Sequence, residues 1–198
     1  MEAYDRKLAD LISLAIELGA SDAAVITTDK IDIRENLAAL CTKPRCQNYG
    51  LSPGCPPHVP GPEGFRNLQK ICRYAVVVRI DVAVEILLSS RNRDIMRLLH
   101  QIVAGIEKQA IGDGYRLSRA FAGGSCKSIF CTDNADCRVL SEKGECRYPE
   151  YARPSMSGFG IDVGALMQAA GWCSKKMITS ENSDAKADSW VAGMVMIG

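Results

Sequence analysis

Cys126, Cys131, Cys137 and Cys146 fall within twenty-one residues of mostly turn-forming sequence, inside the stretch from Ala122 to Pro154. Thiolate sulfur binds zinc and iron–sulfur clusters strongly, and four such donors on one loop can close around an ion or a cube without distant chain. A second group, Cys41, Cys46 and Cys55, opens with the same C-x4-C step and also leaves eight residues before its last cysteine. Zinc favours short C-x2-C knuckles, whose backbone amides hold two sulfurs at tetrahedral spacing, and no such knuckle occurs here. Longer intervals suit the separate corners of a cube, and plant-type ferredoxins also use a C-x4-C step. Cys55-Pro56 repeats the Cys-Pro junction of the bacterial ferredoxin run. The spacing therefore favours iron–sulfur clusters, in the 4Fe-4S form, with zinc as the alternative.

Cys126, Cys131, Cys137 and Cys146 can complete one cluster, whereas Cys41, Cys46 and Cys55 leave another a ligand short. His58, Cys72, Cys173 or a small molecule would fill the open corner. Only a small molecule there makes a catalytic site, because an open metal position can bind and polarise a substrate. Each residue also has a plainer reading. Cys72, between a helix and a buried strand, is expected to be a small core residue. Cys173 reads as core or free thiol, His58 as an exposed loop histidine and His100 as a surface or packing histidine.

Lys43, Arg45, Lys127, Arg138, Lys143, Arg147, Arg153, Lys175 and Lys176 lie near the cysteines in a chain of net charge +1. Positive charge beside a thiolate cluster favours its reduced form and steers an acidic redox partner or anionic substrate. A nucleic-acid surface is disfavoured, since the aromatic residues form no stacking platform.

A hydrophobic fraction of 47% and a charged fraction of 24% describe an ordinary folded chain of 198 residues, read as one α+β domain spanning 1–198. The N-terminus lacks a basic region followed by an apolar core, so no secretory leader is expected. No apolar run approaches the length of a membrane span. A cytoplasmic location follows, and there nine cysteines are not expected to form disulfides.

The elements that would position the cysteines come from periodicity. Leu8 to Leu18 have helical spacing ended by Gly19; Asp22 to Thr28 and Ile31 to Arg34 are extended; Pro62 opens a helix with Phe65, Leu68 and Ile71 facing inward. Arg73 to Val84 reads as a strand buried on both faces in the middle of a sheet. Arg91 to Ile111 is an amphipathic helix, Tyr115 to Ala122 a strand, Ile161 to Ala170 a helix and Trp190 to Ile197 a final strand. Six of the eight prolines lie between Pro44 and Pro62, which excludes regular structure around the first cysteine group. The expected architecture is a mixed or antiparallel sheet of about four or five strands with helices on one face. The cysteine loops, at about 41–62 and 122–154, should gather at one end.

The segments CTKPRCQNYGLSPGCPPHVP, AGGSCKSIFC and CRYPEYARPSMSGFGIDV, followed by an apolar strand, resemble a cysteine-rich family of predicted metal-binding proteins, a domain of unknown function common in anaerobes. The resemblance spans nearly the whole chain and implies a cytoplasmic metal protein of the iron–sulfur kind. It supplies no reaction. Ser155 or Ser157 would either cap the helix after the loop, or mark a helix N-terminus whose amides face the cluster or an anion. Three functions stay open: an electron carrier or accessory with a redox partner protein, an enzyme at the open corner, and a zinc-stabilised binding module.

Overall fold

Successive side chains of a strand alternate between its two faces, and the run Tyr74–Ala83 is apolar on both. A computed structural model of the chain, which describes residues 2–172 and 188–198, uses both faces of this run. Helix α1 spans Glu2–Glu17, strand β1 Asp22–Thr27, helix α2 Glu35–Ala39 and helix α3 Gly61–Ile71. Strand β2 follows at Tyr74–Ala83, then helix α4 at Val84–Leu87 and the long helix α5 at Asn92–Gly112. Strand β3 is the short Arg119–Phe121, followed by helical turns α6 at Cys126–Phe130 and α7 at Arg138–Ser141. Helix α8 at Val163–Ala169 precedes strand β4 at Asp188–Ile197. Short 3-10 turns occupy Thr28–Lys30 and Met156–Phe159.

The four strands make one antiparallel sheet in the order β1-β2-β4-β3. With its helices the fold is α+β, and β2 lies inside the sheet as its hydrophobic run predicts. Val76, Val78 and Ile80 face Leu11 of α1 and Leu99, Ile102, Val103 and Ile106 of α5. The alternate residues Ala75 and Val77 face Phe65 of α3, Met156, Phe159 and Leu166. Helices thus occupy both faces of the sheet, not one, because a strand apolar on both sides needs a cover on each.

The second face is knit by aromatic edges: Phe65 lies 5.2 Å from Phe121 and 6.1 Å from Phe159, both edge-on. Phe65 is fully buried, and burial of such a side chain stabilises by about 1.5–3 kcal/mol. Cys72 is core as expected, 1% exposed against the second face. Ile71, expected to face inward, is 55% exposed; the helical stripe of α3 runs through Phe65 and Leu68 to Cys72 and passes Ile71 by. The strand read at Tyr115 to Ala122 is shorter, since Tyr115 to Ser118 turn before the pairing begins. Ile31 to Arg34 contributes only the isolated bridge Ile33–Ile161.

Between this bridge and α2 the chain comes close to Gly160, whose φ of 71° places it in the left-handed region. A side chain there would meet the Arg34 carbonyl oxygen at 2.5 Å, so only glycine fits. The turn aims the chain into α8. Asp162 caps that helix, its Oδ1 accepting from the Ala165 amide at 3.0 Å; neither Ser155 nor Ser157 does so. Ser155 instead precedes the 3-10 turn and donates its amide to the Gly54 carbonyl.

Candidate metal centre

Both cysteine loops are held by backbone bonds. In the first, Cys46 N–H donates to the Cys41 carbonyl at 3.1 Å and Cys55 N–H to that of Ser52 at 3.2 Å. The second starts at the end of β3, where the Ala122 amide donates to the Pro154 carbonyl and the Met156 amide to the Ala122 carbonyl, both at 3.0 Å, and these bonds return the loop to its origin. A seam joins the two loops: Ser155 N–H donates to Gly54 O at 3.0 Å, and a side chain at Gly54 would press on the Pro154 backbone at 3.1 Å. Beside the seam the hydroxyls of Ser52 and Ser125 stand 3.5 Å apart, both buried. The sequence separates these serines by 73 residues; folding sets Cys55 beside Cys126.

Cys126, Cys131, Cys137 and Cys146 all line a cavity of about 510 Å3, with Ser52 and His58 from the first loop and Phe130, Tyr148 and Phe159 among its apolar walls. The Tyr148 amide donates to the Cys146 sulfur at 3.4 Å. Among the described residues no three Cys, His, Asp or Glu side chains converge as single-ion ligands do. Around zinc, sulfurs bonded at about 2.3 Å would stand about 3.8 Å apart. Four thiols on one cavity are a donor set that a thiophilic metal or a cluster could use.

The eight described cysteines are free thiols. Burial pushes the Cys126 thiol up to about 11; the facing Ser52 hydroxyl offsets part of the rise, while Cys55, Cys146 and Cys137 add to it. Among the thiols Cys55 acts on Cys126 most strongly, ahead of the other members of the group. Cys131 is also raised, first by burial and then by Cys146, with Arg147 and Lys127 opposing. In the first loop Cys41 is raised by burial, Cys46 and Cys55. Exposure is graded there, from exposed Cys46 through half-buried Cys41 to buried Cys55.

His58 is exposed, and its Nε2 lies 3.3 Å from the Gly50 carbonyl oxygen. Cys173, Lys175 and Lys176 lie outside the described residues. The five cations between Ala122 and Pro154 are matched by Asp133, Asp136, Glu142, Glu145 and Glu150, so a positive bias remains only on the first loop, at Lys43 and Arg45. Lys127 is turned inward, its ammonium donating to the carbonyls of Cys131 and Asn134 at 2.9 and 2.6 Å. There it stitches the turn between two cysteines.

Helix α5 clamps the second loop through two polar residues whose roles its sequence alone does not disclose. His100, fully buried, has Nε2 3.1 Å from the Gly123 carbonyl, while its Nδ1 accepts the Arg153 amide at 3.1 Å. One ring thus joins the two shoulders of the loop. Seven residues on, Glu107 accepts from the Arg153 guanidinium at 2.7 Å and from the Ala120 amide at 2.7 Å. Phe130 packs edge-on to His100 and stacks on Tyr148 at 5.3 Å, which floors the cavity.

Burial lowers the His100 pKa to about 4, and protonation would displace the Arg153 amide from Nδ1. In the unfolded chain histidine takes up its proton near 6.5, so between pH 6.5 and about 4 the unfolded state holds more protons. Stability should therefore fall through that window by about 3 kcal/mol from this residue alone, and be independent of it above pH 6.5. Denaturant midpoints of the parent against His100→Gln would check this: the variant should lose most of that slope, and equal slopes would refute it.

The profile of a family described as predicted metal-binding proteins, DUF2284, matches residues 24–197. The chain belongs to this family. The match includes both cysteine loops and all four strands except the start of β1. No curated protein and no solved structure matches the chain. No helix among the described residues is long and apolar enough to cross a membrane.

Proposed function

We propose that this DUF2284 protein is a cytoplasmic iron–sulfur protein that carries single electrons, or supplies them to a partner enzyme. Cys126, Cys131, Cys137 and Cys146 would hold one 4Fe-4S cluster, and Cys41, Cys46 and Cys55 would hold a second with one position open. The observation that carries the reading is that all four thiols of the second loop line one cavity, at intervals in the sequence longer than a zinc knuckle's. When bound, a cluster supplies reversible one-electron chemistry over a potential set by its surroundings. The protein's part is to keep the thiols together, exclude water with Phe130, Tyr148 and Phe159, and donate amides to sulfur. The nearby imidazole and carboxylate are already engaged, His100 by two loop carbonyl and amide groups and Glu107 by Arg153, which leaves them poor acids or bases for substrate.

A second reading, an enzyme acting at the open position of the first group, is favoured by the exposure of Cys46 and by the engagement of His58 Nε2 with Gly50. Anaerobic purification tests the main proposal. Brown protein with iron and acid-labile sulfide is the expected result; colourless protein with stoichiometric zinc would overturn it and favour a zinc-stabilised binding module. A small ligand that alters the paramagnetic resonance of one reduced cluster alone would favour the enzyme.

A further inference from the structure

We propose that Ser52 is a positioning residue that tunes the Cys126 centre from the opposite cysteine loop, an inference that rests on the cluster reading above. Ser52 is 0% exposed and Ser125 is 3% exposed. A buried hydroxyl without a good partner is destabilising, so the pair requires an acceptor. Their mutual distance of 3.5 Å is well beyond the about 2.7–2.8 Å usual for hydroxyl pairs. Each is therefore a weak partner for the other. Ser52 and Cys126 both line the cavity of the four thiols, and Cys126 directly follows Ser125.

The arrangement assigns a direction to the protons. Ser125 donates to Ser52, and Ser52 donates to the Cys126 sulfur once that sulfur is a thiolate ligand. Chained hydroxyls polarise one another and strengthen the terminal bond. Backbone holds the donor in place, because the Ser52 carbonyl accepts the Cys55 amide at 3.2 Å. A hydrogen bond to a ligand sulfur favours the more negative, reduced state and raises the potential. The first loop would thus set the potential of a centre whose four ligands it does not contribute.

The test is a redox titration followed by paramagnetic resonance on the anaerobically loaded full chain, with iron and sulfide assayed first. In Ser52→Ala, iron and sulfide should equal the parent's while the potential of one centre falls and the other stays. That centre should be the one lost in Cys131→Ser. Ser125→Ala should lower the same potential by less. Full loading of Ser52→Ala with both potentials unmoved overturns the proposal alone. Should Ser52→Ala fail to load, Ser125→Ala decides: a lowered potential supports the proposal and an unchanged one overturns it. A parent that binds zinc without sulfide overturns the cluster reading and the proposal together.

Discussion

Replacing any one of Cys126, Cys131, Cys137 or Cys146 with serine is expected to remove most of the iron of one centre, about half of the protein's total if two equal clusters are present. Serine keeps the size of the side chain but offers a harder, more basic oxygen, and a cube with three sulfur ligands on its home cavity is readily lost. The loss should be visible as bleaching of visible absorbance and as disappearance of one set of resonances, with the other set intact. Replacing Cys41, Cys46 or Cys55 should abolish the complementary set. Four single variants that keep full iron would show that these thiols do not share a centre. The same assay separates the groups from each other, which matters because Cys55 lies close enough to Cys126 to raise its pKa.

The second large effect is expected at Glu107. Glu107 and Arg153 are 12% and 15% exposed, and removal of one partner from such a pair costs about 3–5 kcal/mol, because the other charge stays buried. Glu107→Ala also strands the Ala120 amide, which has its partner in Oε1. The variant should lose stability on that scale and cleave faster in the 122–154 loop under limited proteolysis. Glu107→Gln should lose less, since its amide oxygen can still accept from Ala120. A Glu107→Ala protein within about 1 kcal/mol of the parent would show that the clamp does not hold the loop.

The grouping of the second-loop cysteines was legible because residue type and interval are both displayed by a sequence, and the four line one cavity. The sheet was legible for a similar reason: β2 and β4 are long apolar runs, and α5 has a wide stripe through Leu99, Val103 and Ile106. The clamp was not. His100 meets Arg153 across 53 residues, and Glu107 meets it across 46, distances over which a single sequence says nothing of pairing. One signal was present: His100 and Glu107 are seven residues apart, two turns along one face, and that face also carries buried Val103 and Ala104. Polar residues repeating on an inward stripe demand buried partners. Helices on both faces were also foreshadowed by β2, whose apolar character on both sides cannot be covered from one side. The short helices α6 and α7 escaped notice because four or five residues are too few to show a period. Asp162 was not read as a cap because the helix was expected to begin at Ile161, which placed Asp162 inside it; the helix begins at Val163.

The strand order β1-β2-β4-β3 has a temporal meaning. Strand β3, from which the second cysteine loop departs, joins the sheet through β4 alone among the described strands, and β4 follows both cysteine loops in the chain. During synthesis, therefore, all seven motif cysteines leave the ribosome while the shoulder that frames four of them still lacks its neighbour. Until β4 enters between β2 and β3, the shoulders of that loop are held by the α5 clamp of His100 and Glu107, without the sheet. Anything that slows insertion of that strand lengthens the interval in which the loop has its clamp but not its sheet.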